Sequence, residues 1–267
     1  MSQGRFVGTL LVLALALCAP GAALHASSGR GEMRPVVGLV DELEDALAHR
    51  KAAEAHTQEL VERLAAEFNV SGTKDRATIV KALERCFAAR QQGKPVVDLA
   101  CKSARAMAAM APESLPVLNR ALGNDTLLKE HELARTLVLA LGKTKDKAAL
   151  KPLFAFLDHR DDGLVAAAGE ALGEFDGAPQ VTRKQVFEEG LKALMQAKDT
   201  MDAQTQSALD PNAPHDDAAQ KRYETIAAAL STSLQRLAKQ DPRKPEEWQR
   251  WWNKNKRADW DDKSKLS

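Results

Sequence analysis

A pair of helical segments recurring in the middle of the chain constrains the fold more than any other sequence feature. Leu115-Pro-Val-Leu-Asn-Arg-Ala-Leu122 matches Leu150-Lys-Pro-Leu-Phe-Ala-Phe-Leu157 at an offset of 35, and Leu133-Ala-Arg-Thr-Leu-Val-Leu-Ala-Leu-Gly142 matches Leu164-Val-Ala-Ala-Ala-Gly-Glu-Ala-Leu-Gly173 at an offset of 31. Each unit has a short apolar segment with an early proline, a polar turn, and a second segment ending in Ala-Leu-Gly. The difference in offset falls in the turn Gly123 to Glu132, which is longer in the first unit. Two helices per unit of this length is the period of stacked helical repeats, which bury their apolar faces only against neighbouring units. Gly142 and Gly173 are placed to end their helices in the left-handed conformation, and the alanines let adjacent helices approach closely.

Composition agrees with helices throughout. The 267 residues include 46 Ala and 34 Leu against 15 Val and 2 Ile, so the apolar content lies in helix formers and an all-β fold is excluded. Lys plus Arg is 38 and Asp plus Glu is 37, a balance that argues against a nucleic-acid or anionic-membrane binder. The expected class is all-α, an α-α superhelix of about five antiparallel helical pairs.

The N-terminus reads as a secretory signal peptide over 1–23: Arg5, an apolar run from Phe6 to Leu17, then Pro20, Gly21 and a small-x-small cleavage site at Gly21 and Ala23. The run is shorter than the ~20 residues that span a bilayer. Leu17 rather than a small residue precedes Cys18, which argues against lipidation. The chain is therefore expected to be exported, periplasmic or secreted, with no membrane insertion after cleavage. Residues 24–35 are expected as a flexible lead-in. Removal of the leader leaves Cys86 and Cys101, about equidistant from a turn at Gln91 to Lys94. In a helical hairpin they are level, close enough for a disulfide if both face the seam.

The N-terminal helical region, 36–112, opens with apolar residues at helical spacing from Val36 to Phe68, which fit one long helix or two with a break near Arg50; the long helix is favoured because no proline or glycine interrupts its middle. Thr73 is placed as the next N-cap. The repeat region, 113–240, includes a third unit opening on the capping box Thr182-Arg-Lys-Gln185 and interrupted by a polar loop from Met201 to Asp217. The last segment, 241–267, holds all four tryptophans. There Pro245-Glu-Glu opens a short helix, and Trp248, Trp251 and Trp252 form one stripe at i, i+3 and i+4.

The repeat pattern resembles the HEAT-repeat family, including its PBS-lyase-like subgroup. Asp161-Asp-Gly-Leu-Val-Ala-Ala-Ala-Gly-Glu-Ala-Leu-Gly-Glu-Phe175 carries the resemblance, and Glu246-Glu-Trp-Gln-Arg-Trp-Trp252 looks like the tryptophan-rich closing segment of exported bacterial members. The family's stacking arginine is replaced by Ala134 and Val165, so the units are degenerate. The resemblance implies an α-α superhelix and protein binding; its occasional lyase activity finds no matching catalytic residues.

No motif for a nucleophile, phosphate loop or dinucleotide stands in the chain. His49 and His56, seven apart on the expected long helix, lie about 10 Å apart, too far for one zinc. His159-Arg-Asp161 reads as an inter-helix turn, and Asp210 to Asp217 as an acidic loop without a calcium-binding pattern. No metal or cofactor is expected. Trp248, Trp251 and Trp252 are expected to cap the last repeat, or to face a partner or a glycan. The chain is thus expected to be an exported, non-enzymatic scaffold binding an unknown protein or peptide. The alternatives are a cell-envelope glycan-binding module with exposed tryptophans, and a lyase-like enzyme or enzyme accessory.

Overall fold

The computed structural model describes residues 35–207, 217–241, 243–262 and 264. The segment expected as a signal peptide, 1–23, and almost all of that expected as a lead-in, 24–35, lie outside the described residues. The chain is all-α, with one minimal strand pair. Its elements are α1 (Pro35–Ala48), α2 (Ala55–Val70), α3 (Thr73–Arg85), β1 (Arg90–Gln91), β2 (Lys94–Pro95), α4 (Val97–Met107), α5 (Leu115–Leu122), α6 (Asp125–Leu128), α7 (His131–Lys143), α8 (Leu150–Leu157), α9 (Asp162–Leu172), α10 (Gln180–Ser207), α11 (Ala218–Ala238) and α12 (Pro245–Asn255). No helix among the described residues is long and apolar enough to cross a membrane.

Three local expectations are corrected. The segment from Val36 to Phe68 is two helices, because Arg50 adopts a left-handed conformation with φ 59° and turns the chain without glycine or proline. Thr57 donates its hydroxyl to Lys51 O at 2.7 Å and closes that turn. Gly72, rather than Thr73, is the N-cap of α3. The third unit starts at Gln180, two residues ahead of the capping box, and its first helix runs through Ser207 into the segment expected as a loop.

The helices pack in order. α1 meets α2, α3 meets α4, α5 meets α7, α8 meets α9 and α10 meets α11. Between these pairs, α2 contacts α4, α4 contacts α7, α7 contacts α9 and α9 contacts α11. His131 lies beside Asp161 at one end of α7 and α9, while Gly142 meets Ala171 at the other, so these two helices run side by side in one direction. Asp162 with Arg222 and Gly173 with Ser233 give α9 and α11 the same relation. Ion pairs join successive helices at the surface, including Arg120 with Glu84 at 2.7 Å, Lys102 with Glu62 at 2.7 Å and Arg135 with Glu170 at 2.8 Å. Exposed pairs of this kind contribute at most about 1 kcal/mol each, so burial of the apolar stripes is the main stabilising term.

The glycines of the two Ala-Leu-Gly segments have a different role from the one expected. Gly142 lies within α7, and Gly173 has φ −62°, so neither ends its helix in the left-handed region. Lys145, with φ 53°, makes the left-handed turn after α7. What requires glycine is contact: a Cβ on Gly142 would stand 2.6 Å from both Cα and O of Ala171, and one on Gly173 would stand 2.6 Å from Ser233 Oγ. The repeated glycine is where the next helix touches.

Candidate functional site

The tryptophans converge on one ring. Phe187, on α10, is fully buried, with the centroids of Trp248, Trp251, Trp252 and Trp260 at 5.6, 5.4, 5.4 and 5.4 Å. Trp248 and Trp260 meet it edge-on and Trp252 stacks on it, arrangements that suit the aromatic quadrupole. Local sequence prepares the helix that delivers three of these rings. Pro245 stands at its first turn, Glu246 and Glu247 complement its dipole, and the Lys244 amide donates to the Glu247 carboxylate at 2.9 Å.

The chain then returns across α10. Trp260 donates Nε1 to Asn255 O at 2.9 Å and its amide to Gln180 Oε1 at 3.2 Å, and Lys184 Nζ donates to Ala258 O at 2.6 Å. Arg183, 1% exposed, donates Nε to Ala178 O at 3.1 Å and Nη1 to Leu237 O at 3.0 Å, and pairs through Nη2 with Asp261. One buried guanidinium therefore ties α10, the end of α11 and the C-terminal segment together. Lys198 of α10 adds a second tie, pairing with Glu246 at 3.0 Å and with Asp202.

Trp248, Trp251 and Trp252 are no more than 8% exposed, so none presents an open ring face for stacking a glycan. Trp260 and Arg183 complete the cluster, and neither stands among the site residues expected from sequence. The tryptophan count pointed toward the first; nothing in the spacing of Arg183 distinguishes it from a surface arginine. Beside the cluster, α10 and α12 border an open groove of about 900 Å³ with Leu191, Met195 and Trp252 in its lining.

Lowering the pH should weaken the Lys198–Glu246 tie between α10 and α12. Hydrogen bonds from its own backbone amide and then from Lys198 hold the Glu246 carboxyl below its ordinary value of 4.5. A depressed carboxyl contributes stability that is present above 4.5 and is lost as the pH falls through its folded value. Tryptophan emission is expected to resist aqueous quenchers at neutral pH, and the thermal midpoint followed by that emission to fall modestly on acidification, a fall that Glu246→Gln should diminish. Strong quenching at neutral pH would contradict the buried arrangement.

The disulfide expected between Cys86 and Cys101 is not formed; both are buried free thiols. The hairpin does place them at comparable distances from the turn, but α4 aims Cys101 elsewhere. The Cys86 thiol meets Ser103, whose hydroxyl donates to Leu83 O at 2.7 Å, whereas the Cys101 thiol meets Thr136 of α7. Ser103 and Cys101 are two residues apart, about 200° around a helix, so the face that reaches Cys86 is not the one that carries Cys101. Burial pushes the Cys86 thiol up to about 12 and also raises that of Cys101. Both are expected to resist a thiol-disulfide reagent in the native protein and to react in denaturant without prior reduction; a requirement for reduction would refute the free-thiol state.

The histidines do not converge. His49 follows α1 and His56 lies on α2, so the break at Arg50 removes the shared helix face; they pair separately with Asp45 at 3.1 Å and Glu42 at 2.8 Å. The turn at His159 joins α8 and α9, where Asp161 caps α9 by accepting the Leu164 amide at 3.1 Å. No group of three or more metal-ligating side chains occurs among the described residues. His215 and most of the acidic loop lie outside them. No family model matches the sequence, and searches of curated proteins and of solved structures return no match.

Proposed function

We propose that this chain is an exported, non-enzymatic helical-repeat scaffold whose stacked helices present a surface to a protein or peptide partner. The observation that carries the proposal is the same-direction alignment of α7, α9 and α11, with Gly142 and Gly173 at successive contacts 31 residues apart. Such a stack grows by adding units and offers an extended face rather than a single enclosed pocket. In this reading the five helical pairs form an α-α superhelix of HEAT type, with the Phe187 cluster closing its final unit. An open-ended stack needs that closure because its last apolar face has no following helix. The leader over 1–23 directs export.

Identification of proteins that co-purify from native envelope extract tests the proposal. A specific, saturable partner that also binds the purified chain is expected. A monomer that retains no partner under these conditions would overturn the scaffold reading.

A further inference from the structure

We propose that the cleft bordered by α3, β1, α5 and α6 binds the free C-terminal carboxylate of a peptide whose last side chain is apolar, an inference that rests on the peptide-scaffold reading and specifies its ligand. The cleft has a volume of about 340 Å³ and opens to solvent on one side. Phe87, Ala121 and Leu127 line it and are themselves buried, which gives it an apolar floor. Glu84, Arg90 and Arg120 supply the charges at its edge.

Those charges do not cancel. Arg120 Nη1 contacts Glu84 Oε1 at 2.7 Å. Arg90 donates Nη1 to Ala89 O at 3.2 Å and has no carboxylate partner among the described residues. Two arginines and one glutamate therefore line the cleft, leaving a single excess positive charge beside apolar surface. Guanidinium donors match a carboxylate in both geometry and charge. The volume lies near the lower end of ligand pockets, room for a terminal side chain and its carboxylate, while the open side lets the preceding chain leave. One excess charge favours a monoanion over a polyphosphate.

The test is a fluorescence-anisotropy titration of the full chain with an N-terminally labelled peptide ending in leucine, its C-terminal amide, and unlabelled phenylpropionate as competitor. The free acid should bind saturably and weaken with salt, and the amide should bind about tenfold more weakly or worse, because it loses the charge-assisted bonds. Arg90→Ala and Arg120→Ala should each weaken the acid by about fivefold or more, and Glu84→Gln should strengthen it by releasing Arg120. Circular dichroism should show all three variants folded, since they alter exposed or half-buried side chains.

Equal binding of acid and amide, absence of acid binding, or indifference to both arginine substitutions would overturn the proposal. Competition by phenylpropionate at the peptide's own affinity would also overturn it, by showing that the peptide chain contributes nothing. A native partner that still binds both arginine variants would refute this cleft while leaving the scaffold reading intact. Failure to find any partner would instead refute the scaffold.

Discussion

Replacing Phe187 with alanine is expected to destabilise the protein by about 4 kcal/mol, within the range for removing a large buried ring. Four tryptophan centroids lie within 5.6 Å of this ring, so the substitution opens a void that all four line. The surrounding side chains are poorly placed to collapse into it. Arg183, Lys184 and Gln180 fix the segment after α12 by hydrogen bonds that do not depend on Phe187. At about 2 to 4 °C per kcal/mol for a chain of this size, the melting temperature should fall by about 10 °C. Thermal unfolding followed by tryptophan fluorescence measures it. A loss below about 1 kcal/mol would mean that the end of the molecule repacks freely around the missing ring. Phe187→Leu, which preserves more volume, should recover part of the loss.

Gly142→Ala should be the second large effect, with the opposite sign from that expected for an ordinary helix glycine. Alanine normally favours a helix over glycine by up to about 1 kcal/mol. Here the new Cβ would stand 2.5 Å from Ala171 Cβ and 2.6 Å from Ala171 Cα and O. Two of those atoms are backbone, so relief requires α7 and α9 to separate, at a cost of about 3 kcal/mol. Gly38→Ala supplies the contrast, because nothing lies within 4 Å of a Cβ at that position in α1. It should be neutral or stabilising by up to about 1 kcal/mol. Denaturant unfolding of the two variants should give shifts of opposite direction. A Gly142→Ala protein as stable as the original would show that the close approach of α7 and α9 is not required.

The position of most helices is legible in the chain because it follows from apolar spacing, which is local. Ile79, Val80 and Leu83 on α3, and Ile226, Leu230 and Leu234 on α11, recur at helical intervals and are buried. Punctuation is less legible. Arg50, Lys145 and Lys239 all take the left-handed conformation without being glycine. Residue identity at these turns carries little trace of their conformation. Cys86 and Cys101 show the same limit: counting from the turn gives their level in the hairpin, but not the direction in which each side chain points.

At the candidate cap, the stripe of Trp248, Trp251 and Trp252 is visible in the sequence, as are the proline and acids that start their helix. Nothing local indicates that Phe187 is their common neighbour or that Arg183 is buried. Those contacts join residues far apart in the chain, 78 positions for Arg183 with Asp261. In the cleft by α3, Phe87 and Arg120 are likewise brought together by packing rather than by spacing.

Residue order alone accounts for the helical class and for the recurrence of Ala-Leu-Gly, because helix propensity and apolar periodicity act over a few residues. The purpose of the recurring glycines, the free state of the two thiols and the burial of the tryptophans belong instead to the packed molecule. Each depends on which distant atoms occupy the adjacent space, and that is set when the helices come together.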